Sequence, residues 1–193
     1  MSYSNQLNLN ELWCRGINDR PVVTGRNGQM TTRRELFSAA GSLSSKISGK
    51  KVAIFCKSSK LETIALLAAF KTAAAIILPS TNQPEALNEI KTEFDVLLTD
   101  EATVLDIETI IVGEDRDYTF DKSDEILIDP NLKISFFTSG STGKPKEIYK
   151  RFYQLDNEVR AWEKMYSSEF GSAEVHSMVS HQHVYGLLFR LLW

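Results

Sequence analysis

The chain has only two cysteines in 193 residues, Cys14 and Cys56, isolated and without metal-ligand or redox spacing. That argues against a disulfide framework or a cysteine-held metal, and it predicts buried thiols in a reducing compartment. Excess charge is also scarce. The net charge is −3, and no Lys/Arg stripe interleaves with aromatic residues, which argues against a nucleic-acid partner. The longest apolar run, Ile64 to Leu78, is broken by Lys71 and Thr72, so no membrane span is expected. Residues Met1 to Gln6 are polar and carry no apolar signal-peptide core. Repeats and low-complexity segments are missing as well. The expectation is a cytoplasmic globular protein.

What is present follows an α/β rhythm. Leu9, Leu12 and Trp13 sit at helical spacing, and Pro21 to Thr24 suits a short strand. Thr32-Arg33-Arg34-Glu35 has the form of a capping box, followed by Leu36, Phe37, Ala40, Leu43 and Ile47 at helical spacing, with Gly49 as the stop. Val52–Phe55 reads as a buried strand. Ser59-Lys60-Leu61-Glu62 reads as a second capping box, opening an almost wholly apolar helix through Phe70, as expected of a helix sandwiched in a core. Ala75–Leu78 and Asp95–Leu98 read as strands around a helix that starts at Pro84. Further strands are expected at Ile110–Val112, Glu125–Ile128, Leu132–Phe137, Glu147–Tyr149 and Val175–Val179. Leu155, Val159, Trp162 and Tyr166 mark a long amphipathic helix. This order predicts a parallel sheet flanked by helices.

One stretch carries chemistry. Ile134, Phe136 and Phe137 form an apolar strand that runs into Thr138-Ser139-Gly140-Ser141-Thr142-Gly143-Lys144-Pro145-Lys146. Glycines allow close approach of backbone N–H groups to phosphate oxygens, hydroxyls add donors, and the lysines add positive charge. The Walker pattern is excluded. Gly140 and Gly143 are three apart, and Pro145 stands where Ser or Thr should follow Lys144. Pro145 also disfavours a helix opening at Lys144. The plain alternative is a polar surface loop between two strands.

The string Phe-Thr-Ser-Gly-Ser-Thr-Gly-Lys-Pro-Lys resembles the phosphate loop of the adenylate-forming superfamily: acyl- and aryl-CoA synthetases, peptide-synthetase adenylation domains and luciferases. Glu147 stands where that family usually has Gly, and it is expected to point away from the phosphates. The stretch from Lys51 through Ala74 to Ser80 also resembles the early strand, alanine-rich helix and strand of these ligases. The resemblance implies ATP and Mg²⁺ as cofactors. Thr138, Ser139, Gly140, Ser141, Thr142, Gly143, Lys144 and Lys146 would then cradle the phosphates.

A second unusual stretch is Ser180-His181-Gln182-His183-Val184-Tyr185-Gly186-Leu187. On a strand its two histidines would face one side, as a metal requires. Glu174 and His176, the nearest further candidates, lack ligand spacing, so no metal is expected. Hydrogen-bonded structural histidines are the plain reading. His183-Val184-Tyr185-Gly186 resembles the His-x-Tyr-Gly segment of acyl- and aryl-CoA synthetases. That implies a catalytic role for His183 and a carboxylate pocket lined by His183, Tyr185 and Gly186. The wider strings Ser180 to Arg190 and Lys146 to Arg151 resemble the ligases of bacterial aryl-polyene pigment clusters.

By resemblance, the chain is the first part of the large N-terminal (AMP-binding) domain of such an enzyme. Residues 1–193 would be an incomplete domain, without the C-terminal domain and inactive alone. The implied partners are ATP, a carboxylic acid, and coenzyme A or a carrier-protein thiol. The apolar stripe Leu188, Leu191, Leu192 and Trp193 predicts an exposed, self-associating patch. Two further alternatives stay open: a non-catalytic nucleotide-binding module and an α/β interaction domain.

Overall fold

The computed structural model describes residues 9–15, 17–25, 28–115, 119, 124–138, 145–170 and 178–192. A 3₁₀ turn (Leu9–Glu11) leads into α1 (Leu12–Arg15), then an antiparallel ribbon of β1 (Pro21–Thr24) and β2 (Met30–Thr32). Helix α2 (Arg33–Ser44) begins with the expected capping box: the Thr32 hydroxyl accepts the Glu35 N–H, and Glu35 accepts the Thr32 N–H. Such a cap is worth about 1 kcal/mol. The helix ends at Ser44, short of Ile47, and Gly49 takes the positive φ of 72° that the following turn requires.

The centre is a six-stranded sheet. Its parallel strands are β3 (Lys51–Phe55), β4 (Ala75–Leu78), β5 (Val96–Thr99), β6 (Glu108–Ile111) and β7 (Lys133–Thr138). An antiparallel edge strand, β8 (Lys146–Arg151), completes the order β6-β5-β3-β4-β7-β8. Strand residues alternate between faces with period two. Val52, Ile54, Ile76, Leu78, Leu98, Ile134 and Phe136 face a core closed by α2, α3 (Ser59–Thr72) and α5 (Phe152–Phe170). Ala53, Ile77, Leu97 and Phe137 face a smaller core under α4 (Pro84–Glu89). The expected α/β sheet flanked by helices is the observed architecture.

Three local expectations need correction, and a fourth lies largely outside the described residues. Ser58, not Ser59, caps α3, because its hydroxyl accepts the Leu61 N–H. Glu62 therefore closes no capping box. It turns inward, fully buried, and accepts the Cys56 N–H instead. Residues 125–129 form no strand. Instead Ile128 N–H donates to the Asn10 carbonyl and Ile126 N–H to that of Asp124, so the segment is tied to the N-terminal turn rather than to the sheet. The strand expected at Val175–Val179 falls largely outside the described residues, and Met178 and Val179 are not in a strand.

Candidate functional site

Both chemistry-bearing stretches begin at the carboxyl edge of the sheet. The β7–β8 hairpin pairs Thr138 with Lys146 in register, and the Thr138 hydroxyl lies 3.4 Å from the Lys146 carbonyl that accepts it. Ser139, Gly140, Ser141, Thr142, Gly143 and Lys144 lie outside the described residues, while both ends of their loop are described. The chain leaves that loop through Pro145 into a strand, as the Pro145 argument required and unlike the helix of a Walker loop. Thr138 and Lys146 are both exposed.

Glu147 is held back along β7. It accepts the Ser135 hydroxyl at 2.7 Å and pairs with Lys133 at 2.5 Å. These contacts, Lys133 first, hold its carboxyl below the usual carboxylate range. Its side chain is thus directed toward the start of β7, away from Thr138.

The second stretch is a turn, not a strand. Ser180 to His183 lead into a single turn, α6 (Val184–Gly186), which continues directly as a π-helical segment, Leu187–Leu192. π-Helical segments are rare and frequent at functional sites. The two histidines consequently do not share a face. His181 is buried, with its Nε2 2.8 Å from the Cys56 carbonyl, whereas His183 is exposed. Burial holds the His181 imidazole below its ordinary pKa. His176 lies outside the described residues. Tyr185 is 66% exposed, and Gly186 is buried against the Ser180 carbonyl. No group of three His, Cys, Asp or Glu side chains converges as a metal site among the described residues.

The expected exposed C-terminal stripe is also corrected. Leu187 and Leu188 are each 1% exposed within the main core, Leu191 and Leu192 pack against it, and Phe189 stacks on Trp162 at 3.5 Å between ring centroids. The helical segment turns Leu187 and Leu188 into the core and leaves Leu191 and Leu192 half-buried against it. Trp193 lies outside the described residues.

Between the two stretches, the end of β3 is the hub. Cys56 N–H donates to Glu62 at 2.7 Å, and its carbonyl accepts from both His181 and Gln182, the latter at 2.9 Å. Glu62 Oε1 has no hydrogen-bond partner among the described residues, and burial pushes this carboxyl up to about 7. At the tip of β5, the Asp100 carboxylate accepts the N–H groups of Lys57 and Ser58 at 2.9 and 2.8 Å. The anion position before α3 is thus filled from within. A shallow depression beside the hairpin is lined by Pro79, Ser80, Thr81, Phe137 and Pro145. Glu62, Asp100 and Gln182 were missed in the sequence.

No protein-family model matches the chain, and no curated protein does. Solved structures do match it. O-Succinylbenzoate coenzyme A synthetase (MenE) from Bacillus subtilis, in complex with ATP and magnesium ion, aligns with TM-score 0.66 and 21% identity, over 95% of this chain and 53% of that one. A malonyl-CoA ligase with methylmalonyl-CoA and AMP bound aligns with TM-score 0.70 and 20% identity, over 90% and 38%. The NpsA N-terminal subdomain of Klebsiella oxytoca aligns with TM-score 0.58 and 20% identity, over 78% and 43%. The chain therefore shares the fold of part of each of these structures, and it spans between 38% and 53% of their chains. Among the described residues, no helix is long and apolar enough to cross a membrane.

Proposed function

We propose that this chain is the N-terminal portion of an ATP-dependent acyl- or aryl-CoA synthetase of the cytoplasm. Such an enzyme converts ATP and a carboxylate into an acyl-adenylate and pyrophosphate, and a thiol then takes the acyl group as a thioester with release of AMP. One observation carries the reading. The hairpin end at Thr138 and Lys146 and the turn at His181–Tyr185 meet at the same carboxyl edge, separated by β4. Two strand spacings put β3 and β7 about 10 Å apart. Open α/β sheets bind ligands outside the carboxyl ends of their strands.

The described donors fit a triphosphate. Thr138 offers a hydroxyl and Lys146 an ammonium, both exposed, and Glu147 is tied away on Lys133 and Ser135. Ser139, Gly140, Ser141, Thr142, Gly143 and Lys144 would complete the cradle. Mg²⁺ typically rests on phosphate oxygens and water with one or two carboxylates rather than in a protein cage. Bound there, it would neutralise charge as the carboxylate approaches the α-phosphate. The protein groups align and screen the two anions; none needs to act as a nucleophile. His183, Tyr185 and Gly186 would border the acyl pocket, with His183 beside the reacting carboxylate. The acceptor would be coenzyme A or a carrier-protein thiol.

Carboxylate-dependent ATP–pyrophosphate exchange by the full-length protein tests the reading, and its absence with aryl and acyl acids alike overturns it. Because the chain spans about half or less of the matched structures, a second reading is a nucleotide-binding module without catalysis. Saturable ATP binding without exchange would favour it.

A further inference from the structure

The Cys56 carbonyl accepts two side-chain donors from a segment 125 residues later in the chain. A carbonyl oxygen has two lone pairs, and here both are engaged. Because the acceptor is a carbonyl, His181 must carry a proton on Nε2. The Gln182 amide is oriented in turn, since its Oε1 accepts the Ser180 hydroxyl at 2.7 Å. The Ser180 carbonyl accepts the His183 N–H at 3.1 Å, and the Leu187 N–H donates to the His183 carbonyl at 2.8 Å. Gly186 sits so close to Ser180 that an added Cβ would come within 2.0 Å of its carbonyl oxygen. Residues 180–187 thus form one tight turn. Leu187 and Leu188 anchor its far end in the core, and Arg190 reaches the Ser59 hydroxyl at 3.2 Å.

We propose that His181 and Gln182 are positioning residues. By clasping the Cys56 carbonyl they fix the near end of this turn, and so hold His183 and Tyr185 over the carboxyl edge of the sheet. The leucines could anchor the π-helical segment without this clasp, but they would leave the turn before it free to swing. The catalytic part of the inference rests on the synthetase reading above; the clasp itself does not.

The test has two arms. Hydrogen exchange on the chain reads the clasp directly. In His181→Ala the Leu187 amide is expected to exchange about tenfold faster, with β3 and α3 amides unchanged. His181→Gln, which keeps a donor at nearly the same reach, restores protection. Unchanged protection at Leu187 overturns the clasp. Loss of protection throughout the sheet also overturns it, because it marks a residue of general stability. In the full-length protein, pyrophosphate exchange with benzoate and octanoate as probes reads the consequence. The KM for the carboxylate is expected to rise about tenfold while the KM for ATP stays within about twofold. A fall in kcat alone, matching the folded fraction, overturns the positioning role. A wild-type protein without exchange overturns the synthetase reading and leaves the hydrogen-exchange arm to decide the clasp.

Discussion

The Cα of Gly186 lies against the carbonyl of Ser180 so closely that a methyl group there would sit 2.0 Å from the oxygen. The obstacle is backbone, which cannot rotate aside. Gly186→Ala should therefore destabilise the protein by about 1–3 kcal/mol, as overpacking does. It should also displace His183 and Tyr185. A urea midpoint equal to that of the wild type would contradict this geometry.

Glu62 gives the protein a pH-dependent stability. Its carboxyl titrates at about 7 when folded and near 4.5 when exposed. The folded state therefore binds the proton more tightly. The stability this contributes is complete below pH 4.5 and disappears as pH rises through 7, a swing of about 3 kcal/mol. His181 acts in the opposite sense: burial lowers its pKa, so its contribution is complete above 6.5 and falls in acid. Thermal midpoints across pH 5 to 8 should fall on the alkaline side in the wild type and flatten in Glu62→Gln. An alkaline limb that persists in the variant would assign it to another group.

Lys71 and Asp124 form an ion pair with both side chains largely buried, and the Lys71 ammonium lies 4.6 Å from the Trp13 ring centroid. Asp124→Ala leaves a buried cation and should cost about 3–5 kcal/mol. Replacing both partners by apolar residues of similar volume should cost less. Denaturant unfolding of the single and double variants checks the order.

Lys146→Ala should weaken ATP binding by about tenfold, the loss of one charge-assisted contact. Glu147→Gln should leave it nearly unchanged, because that carboxylate is already engaged by Lys133 and Ser135. Calorimetric titration with ATP separates the two. Equal effects would mean that Glu147 faces the phosphates.

Period-two and helical patterns made the sheet and its covering helices legible, since burial on one face writes itself into spacing. The Thr32 capping box was readable because it is local. Its apparent twin at Ser59 was misread: Glu62 satisfies a donor outside its own helix, at Cys56, and spacing alone does not reveal that partner. The same limit hid the site's support. Thr138 and Lys146 are recognisable in the sequence, but the pairing of His181 with Cys56 depends on the fold bringing two distant segments together. The C-terminal leucines looked like an exposed stripe because the helices that cover them lie elsewhere in the chain.

The contact between Cys56 and His181 also has a dimension in time. The two residues are separated by 125 positions. At typical synthesis rates the later one leaves the ribosome about 6–25 s after the earlier. During that interval the β3–α3 turn can form its strand and helix, but the Cys56 carbonyl must be satisfied by water. The segment bearing His183 and Tyr185 thus docks after β1 to β8 have all left the ribosome.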